Sequence, residues 1–217
     1  MSSINFNFLG RIGWQEAYDL QEQLLEQRQE GLIPDTVLLL EHDPVFTIGR
    51  TPDKTSLRAA ESLPFPVIET NRGGQATYHG PGQLVGYLIL DLNIIGRDLH
   101  AYLRRLEEDL IKLCERFGVK AQSREGLTGV WVGERKLASI GVGVRKWVTM
   151  HGFALNVTAE SLIGFNPIVP CGIQGVTMSC LADEANRLLS VEAVATEAMS
   201  VLAGLGAPLS PASLGEE

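Results

Sequence analysis

Residues 129–157 read GVWVGERKLASIGVGVRKWVTMHGFALNV, a stretch in which β-branched residues and glycines recur every few positions. This composition is typical of strands, and its three apolar runs, at 130–132, 140–144 and 153–157, predict three antiparallel strands. Tight turns are expected at Gly133-Glu134 and over residues 146–149. The stretch therefore predicts the antiparallel part of a sheet.

Helices and strands alternate on both sides of this stretch. Apolar periodicity and stop signals predict helices at 14–30, 98–117 and 188–205, and strands at 36–40, 66–69 and 84–92. The interleaving predicts an α/β or α+β fold, with a mixed, largely antiparallel sheet flanked by helices. We expect a single domain over residues 1–205, followed by a flexible C-terminal tail over 206–217 that contains two prolines.

The composition excludes several classes of protein. With 217 residues, 45% of them hydrophobic, the chain is long enough for one sizeable core. It has no apolar run of about 18 residues and no secretory start over residues 1–10, so we expect a cytoplasmic protein without a membrane span. A formal net charge of -8 argues against nucleic acid as a partner. Three cysteines, an odd number without metal-ligand spacing, indicate free thiols and no bound metal.

The three cysteines differ in their surroundings. Cys114 lies beside the apolar stripe of the helix at 98–117, and Cys180 lies among apolar residues at a helix start, so both are expected to be buried. Cys171 lies between Pro170, which keeps the chain extended, and Gly172, which permits a sharp bend. These neighbours predict a thiol exposed at a bend. On local sequence alone, a nucleophile and an ordinary loop cysteine stay equally open.

A catalytic cysteine needs a nearby cation or base, because a free thiol is only a few per cent thiolate at pH 7. Lys136 begins a strand-like run whose small residues leave room beside it, although most lysines are solvated surface charges. The candidate partners of Cys171 are Arg135, Lys136, Arg145, Lys146, His79 and His151.

A glycine-rich segment, NRGGQATYHGPGQ at residues 71–83, precedes an apolar strand. Its glycines would let main-chain amides approach a carbonyl or phosphate oxygen closely, but the spacing fits neither the P-loop nor the dinucleotide-binding motif. A tight turn without function is the alternative. His79, in what we expect to be a constrained loop, favours a functional role over that of a structural histidine.

Six motifs follow one another along the chain: EHDPVFTIGR at 41–50, RGGQATYHGPGQ at 72–83, TGVW at 128–131, KLASIG at 136–141, HGFALN at 151–156 and PCGI at 170–173. With these motifs, the chain resembles the lipoyl(octanoyl) transferases of lipoate biosynthesis, which are related to lipoate and biotin protein ligases. The resemblance covers about residues 37–181. Asp43 and Phe153 depart from the residues that many relatives carry, and Phe153 would narrow the acyl tunnel and so bears on the preferred acyl-chain length.

The resemblance implies a biotin/lipoate protein ligase-like catalytic fold that acts without metal, nucleotide or other cofactor. It implies that Cys171 carries an acyl-thioester and that Lys136 favours its thiolate form. It also implies that the acyl group is bound by Arg72, Gly73, Gly74, Gln75, Ala76, Thr77, Tyr78, His79, Ser139, Ile140, Gly141, Gly152, Phe153 and Ala154.

The reaction implied is transfer of an octanoyl or lipoyl group from acyl carrier protein to a lysine of lipoyl domains. The expected partners are octanoyl-acyl carrier protein, the lipoyl domains of 2-oxoacid dehydrogenases and the glycine cleavage H protein, and the enzyme itself is expected to be a monomer. Lys136 or His79 would accept the proton of the acceptor lysine. Because these partners are usually acidic, we expect a basic docking surface formed by Arg72, Arg135, Lys136, Arg145 and Lys146.

Three alternatives remain open on the sequence. One is an ATP-dependent lipoate or biotin protein ligase, which shares the fold and the lysine acceptor. Another is a hydrolase that pairs Cys171 with His79 or His151. The third is a carrier-protein binding module without catalytic activity.

Overall fold

The strands of the protein form one large mixed sheet and one small sheet. The computed structural model describes residues 4–51, 55–57 and 62–208. The strands are β1 Asn5–Ile12, β2 Thr36–His42, β3 Val45–Ile48, β4 Val67–Glu69, β5 Thr77–His79, β6 Gln83–Ile89, β7 Gln122–Arg124, β8 Leu127–Val132, β9 Arg135–Arg145, β10 Val148–Asn156 and β11 Thr177–Met178. The helices are α1 Trp14–Gln29, α2 Leu92–Ile95, α3 Leu99–Arg116, α4 Leu181–Ala185 and α5 Val191–Leu202.

The large sheet has the strand order β1-β2-β6-β10-β9-β8-β7, and β11 pairs with β9 beside this path. The β1–β2 and β11–β9 pairs are parallel, whereas the others are antiparallel. The three strands predicted from residues 129–157 are β8, β9 and β10. The predicted mixed, largely antiparallel sheet is therefore confirmed.

Helices cover both faces of the large sheet. On one face, α3 and α5 bury a continuous apolar core against β2, β6, β9 and β10, with Leu106, Leu110 and Leu113 completely buried on α3. Each such leucine contributes roughly 1.5–3 kcal/mol when it is removed from water. The side chain of Asp98 accepts a hydrogen bond from Ala101 N–H and caps the start of α3. On the other face, α1 packs against β6 and β10.

The small sheet has the strand order β4-β3-β5. Its apolar face centres on the Tyr78 ring, which contacts Phe46, Phe65 and Phe165 at centroid distances of 5.5–5.8 Å. We expected the whole glycine-rich segment to be a loop, and this was wrong for β5. Thr77 and Tyr78 favour a strand, and the burial of the Tyr78 ring fixes their pairing with β3.

Some predicted element boundaries also differ from the observed ones. The strand expected at 84–92 ends at Ile89, because Asp91 caps the short helix α2. The helix expected at 188–205 begins at Val191, where the Ser190 side chain caps the Ala193 amide. Within the described part of the chain, no helix is both long and apolar enough to cross a membrane.

The predicted C-terminal tail is only partly covered by the structure. Gly206 ends a short 3-10 helix over Ala203–Gly206, and the carbonyl of Ala207 accepts a hydrogen bond from Arg105 at 2.6 Å. Residues 209–217 of the expected tail lie outside the described residues. The packed fold therefore extends slightly beyond residue 205.

Candidate active site

A cavity of about 430 Å³ is lined by residues of both sheets. Its volume lies within the range of roughly 300–1,000 Å³ that is typical of small-molecule sites. Its wall is mainly apolar, with Val85, Leu99, Leu103, Leu127 and Ile140 among the lining residues. Leu99 and Leu103 belong to the apolar stripe of α3.

Cys171 lies at the cavity in a short 3-10 turn over Pro170–Gly172. Its backbone is left-handed, with φ 55° and ψ 17°, a conformation that costs a non-glycine residue about 1–2 kcal/mol. Hydrogen bonds hold the turn: Cys171 N–H donates to the Ala76 carbonyl at 2.8 Å, and Gly172 N–H donates to the Val169 carbonyl at 3.0 Å. The bend predicted from the flanking proline and glycine is present, and it presents a partly exposed thiol to the cavity.

Lys136, on β9, is not a surface lysine but is only 2% exposed. Its ammonium lies 3.4 Å from Cys171 Sγ, donates to the Thr128 carbonyl at 3.1 Å, and lies 5.2 Å from the centroid of the Trp131 ring. Ser139 Oγ lies 3.5 Å from the same sulfur. The structure thus brings Cys171 and Lys136 into direct contact, at a site where solvent screens their attraction only weakly.

The other two thiols are expected to be unreactive at neutral pH. Cys114 and Cys180 are fully buried, as the sequence predicted. Burial raises the pKa of Cys114 to about 12 and that of Cys180 to about 11. Because thiolates are the reactive form of cysteine, nucleophilic reactivity at neutral pH is expected to concentrate at Cys171.

Arg72 organises the glycine-rich loop. Its guanidinium donates to the carbonyls of Thr47, Gly73 and Gln75 at 2.8–2.9 Å and to Thr47 Oγ1. Burial lowers the pKa of Arg72, and the charge of the nearby Cys171 opposes this shift. Because its donors are engaged by the protein, Arg72 shapes the cavity wall and is not an exposed docking cation.

Buried neutral imidazoles form part of the cavity wall. Burial, together with smaller contributions from neighbouring His42 and Arg72, lowers the pKa of His79 to about 3. His79 Nδ1 lies 2.8 Å from Gln83 Oε1, whose own amide group donates elsewhere, so Nδ1 carries the proton. His79 Nε2 then faces Thr47 Oγ1 at 3.3 Å.

His151 is likewise buried, and burial lowers its pKa to about 3. Its Nε2 lies 2.5 Å from Asn71 Oδ1. The hydrogen-bond partners of the Cys171 sulfur among the described residues, Lys136 and Ser139, include no histidine. The geometry therefore gives no support to a cysteine–histidine pair of the kind that a hydrolase would use.

Most of the residues expected to hold an acyl group line the cavity: Arg72, Gly73, Gly74, Gln75, Thr77, His79, Ser139, Ile140, Gly141, Gly152, Phe153 and Ala154. Ala76 and Tyr78 are not among the lining residues. Ala76 instead anchors the Cys171 amide, and the Tyr78 side chain belongs to the apolar face of the small sheet, because neighbouring side chains of a strand alternate between faces.

Thr77 has a feature that the sequence did not reveal. Its side chain is 95% buried, since the residue is only 5% exposed, and Oγ1 has no hydrogen-bond partner among the described residues. Thr77 pairs with Thr47 across the small sheet and lines the cavity. A buried hydroxyl without a protein partner is costly unless something else satisfies it, so Thr77 is a candidate ligand contact.

The five cations expected to form a basic docking surface divide into two groups. Lys136 and Arg72 are buried, whereas Arg135, Arg145 and Lys146 are exposed. Arg135 forms a bidentate ion pair with Glu184, and Arg145 Nη2 donates to both carboxylate oxygens of Glu22, all at 2.8 Å. Lys136 and Arg72 therefore do not belong to an exposed surface, and the docking role of the other three stays a prediction.

Comparison with known proteins places this fold and site in a family. Residues 14–203 match the Lipoyl protein ligase A/B catalytic domain. The chain belongs to this family. An octanoyltransferase of Geobacter sulfurreducens is 48% identical over 94% of this chain and 85% of that protein, and one of Geobacter metallireducens is 52% identical over 80% of each. The resemblance that the motifs indicated is confirmed, as is the enzyme class, an acyltransferase.

Solved structures of three ligases share the fold of this chain at low sequence identity. A putative lipoate protein ligase from Thermoplasma acidophilum is 15% identical with a TM-score of 0.71, over 94% of this chain and 85% of that chain. Lipoate-protein ligase A bound with ATP is also 15% identical, with a TM-score of 0.66 over the same shares of the two chains. The biotin protein ligase from Aquifex aeolicus gives a TM-score of 0.54 at 15% identity, over 93% of this chain and 69% of that chain. These likenesses confirm the expected fold.

Proposed function

We propose that this protein transfers an octanoyl group from octanoyl-acyl carrier protein to a lysine of a lipoyl domain, through a thioester on Cys171. The observation that carries the proposal is the 3.4 Å contact between Cys171 Sγ and the buried Lys136 ammonium at the end of an apolar cavity. Relatives about 50% identical are named octanoyltransferases, which supports octanoyl as the group transferred.

In the first half-reaction, the Cys171 thiolate attacks the carbonyl carbon of the donor thioester. The new carbon–sulfur bond gives a tetrahedral intermediate, which collapses as the bond to the carrier's sulfur breaks, and the departing thiolate takes a proton from the Lys136 ammonium. Exchange of one thioester for another conserves the activation of the acyl group. The step therefore needs no ATP.

The tetrahedral intermediate of this step needs hydrogen-bond donors for its oxyanion. The amides of Cys171 and Gly172 already donate to protein carbonyls, so they are not available. Polar groups that remain at the cavity are the Lys136 ammonium, the Ser139 hydroxyl and the Thr77 hydroxyl. We assign the oxyanion to these side chains.

In the second half-reaction, neutral Lys136 takes a proton from the acceptor lysine's ammonium. The free amine attacks the octanoyl thioester and forms an amide, Cys171 leaves as a thiolate beside the restored Lys136 ammonium, and the second proton of the amine passes to solvent. His79 is the poorer base, because a pKa of about 3 means that it holds a proton only weakly at neutral pH.

Intact mass spectrometry of the full-length protein after mixing with octanoyl-acyl carrier protein tests the proposal. The wild-type protein should gain the mass of one octanoyl group, and Cys171→Ala should gain none. Cys180→Ala is the matched control, because it removes a buried thiol and should keep the adduct. A wild-type protein without an adduct would refute the thioester mechanism.

The same reaction separates the alternatives. Adding a lipoyl domain should consume the adduct and modify one lysine of the domain. Release of octanoic acid without an acceptor would instead indicate a hydrolase. Modification that requires free octanoate and ATP would indicate a ligase, and binding without any covalent change would indicate a carrier-protein binding module.

A further inference from the structure

Glu107, on the buried side of α3, is a carboxylate that the transfer chemistry described above does not use. It is only 1% exposed. Its Oε1 accepts the Gly129 N–H at 2.7 Å, and its Oε2 lies 2.5 Å from Arg104 Nη1. Buried carboxylates are rare unless their partners are fixed, so this arrangement needs a physical reason.

The peptide group between Thr128 and Gly129 joins Glu107 to the active site. Its N–H donates to Glu107, and its C=O accepts the Lys136 ammonium at 3.1 Å. In a trans peptide these two groups point in opposite directions, so the carboxylate and the ammonium lie on opposite sides of one peptide unit. A hydrogen bond to the N–H polarises the peptide and makes its carbonyl a stronger acceptor.

Gly129 lets the Lys136 side chain lie close to the Thr128–Gly129 peptide. Its φ of +133° is strained for other residues, and a Cβ at this position would lie 2.8 Å from Lys136 Cε and 2.6 Å from the Ala138 carbonyl oxygen. The absence of a side chain lets the aliphatic part of Lys136 pass close to the peptide. The motif TGVW at 128–131, which the sequence resemblance singled out without a role, thereby receives one.

We propose that Glu107 is a positioning residue for the active site, acting through the Thr128–Gly129 peptide on Lys136. Its carboxylate orients the carbonyl that holds the Lys136 ammonium against Cys171. Glu107 is not among the residues that line the cavity, so it acts without touching substrate. The inference deepens the proposed function and rests on it for its catalytic meaning.

Alkylation of Cys171 by iodoacetamide, followed by intact mass spectrometry of the full chain, tests this role without any acyl donor. The reagent reports on Cys171, because the other two thiols are buried. We expect Glu107→Gln to slow alkylation about fivefold to tenfold, the effect of one charge-assisted hydrogen bond. In a Lys136→Met background the same substitution should have no further effect, because the group through which Glu107 acts is gone.

Asp109→Asn is the matched control. Asp109 is a second buried carboxylate of α3, and it pairs with Lys112 at 2.8 Å. Its replacement should leave the alkylation rate unchanged at a similar cost in stability. Glu107→Asp keeps the negative charge on a shorter side chain and should slow alkylation less than Glu107→Gln does. If Glu107→Gln does not fold, Glu107→Asp is compared with the wild type in its place, in both the Lys136 and the Lys136→Met backgrounds.

Two outcomes would overturn the proposal. A wild-type alkylation rate in Glu107→Gln would show that the carboxylate has no influence on the thiol. An equal proportional slowing in both the wild-type and Lys136→Met backgrounds would show that Glu107 only stabilises the fold. The proposed function can fail separately. If the wild type forms no octanoyl adduct, but Glu107→Gln slows alkylation only when Lys136 is present, the acyl transfer is refuted and the positioning role remains.

Discussion

Replacement of Lys136 by methionine removes the cation beside Cys171 while filling nearly the same volume. Without the ammonium, the sulfur of Cys171 loses the positive charge that lies beside it. Because methionine introduces no buried charge, we expect the thermal stability of the variant to be no lower than that of the wild type. The variant therefore tests the reactivity of Cys171 without a loss of folding stability.

The distance of 3.4 Å between Cys171 Sγ and the Lys136 ammonium sets the size of the expected change in reactivity. At an effective dielectric constant of about 20, two unit charges at this distance attract by about 5 kcal/mol. Desolvation of the buried ammonium offsets several kcal/mol of this attraction. A net loss of about 2–3 kcal/mol corresponds to a decrease on the order of 100-fold in the rate of Cys171 alkylation.

The assay is the rate of iodoacetamide alkylation at pH 7, measured on the wild type, Lys136→Met and Lys146→Met. Lys146 is an exposed cation at the β9–β10 turn and serves as the control for a general change in charge. We expect the control to react at the wild-type rate. Alkylation of Lys136→Met within twofold of the wild-type rate would refute the view that Lys136 maintains the thiolate.

Three further predictions concern the cavity and its surroundings. Gly86→Ala should destabilise the protein by about 1–3 kcal/mol in urea unfolding, since the new Cβ would lie 2.1 Å from the Phe153 ring. Adding Phe153→Leu should restore part of that loss, and a double variant as unstable as Gly86→Ala would contradict the packing argument. Phe153→Leu alone should raise the ratio of decanoyl to octanoyl transfer by enlarging the cavity, and an unchanged ratio would remove Phe153 from chain-length selection. The folded-state pKa of His42 is about 4, and those of His79 and His151 are about 3, all lowered mainly by burial. Because the unfolded chain binds these protons from about pH 6.5 downwards, stability should fall by about 4 kcal/mol between pH 7.5 and 5.5, at about 1.36 kcal/mol for each histidine. Equal urea midpoints at the two pH values would contradict this.

The sequence predicted those elements whose local pattern and tertiary role agree. The Leu106, Leu110 and Leu113 stripe follows the helical period, so α3 was predicted within one residue of its observed bounds. The β-branched runs of residues 129–157 predicted β8, β9 and β10 as strands, but each observed strand begins three to five residues before the predicted run. The strand β5 was missed because its stability comes from pairing with β3 and from the burial of the Tyr78 ring. Both contacts involve residues that are distant in the sequence, so the local pattern does not reveal them.

Less of the candidate site than of the fold could be predicted from the sequence. The bend at Cys171 follows from its proline and glycine neighbours, whereas its partner Lys136 became distinguishable from other lysines only through the ordered motifs. The ion pairs that engage Arg135 and Arg145 join residues 49 and 123 positions apart, so local sequence could not predict that these two cations are paired. The role of Glu107 was hidden for the same reason, because on the sequence it is one acidic residue among several on an amphipathic helix.

The hydrogen bond from the Cys171 amide to the Ala76 carbonyl ties the nucleophile's turn to the small sheet, whereas Lys136 belongs to the large one. The contact between the two side chains spans 35 positions and requires both sheets to be assembled. Long-range contacts of this kind form late, after the entropy of closing the intervening chain has been overcome. An incompletely folded chain therefore carries Cys171 without its lysine partner. Under the proposed mechanism, the chain becomes able to accept an acyl group only when both sheets are assembled.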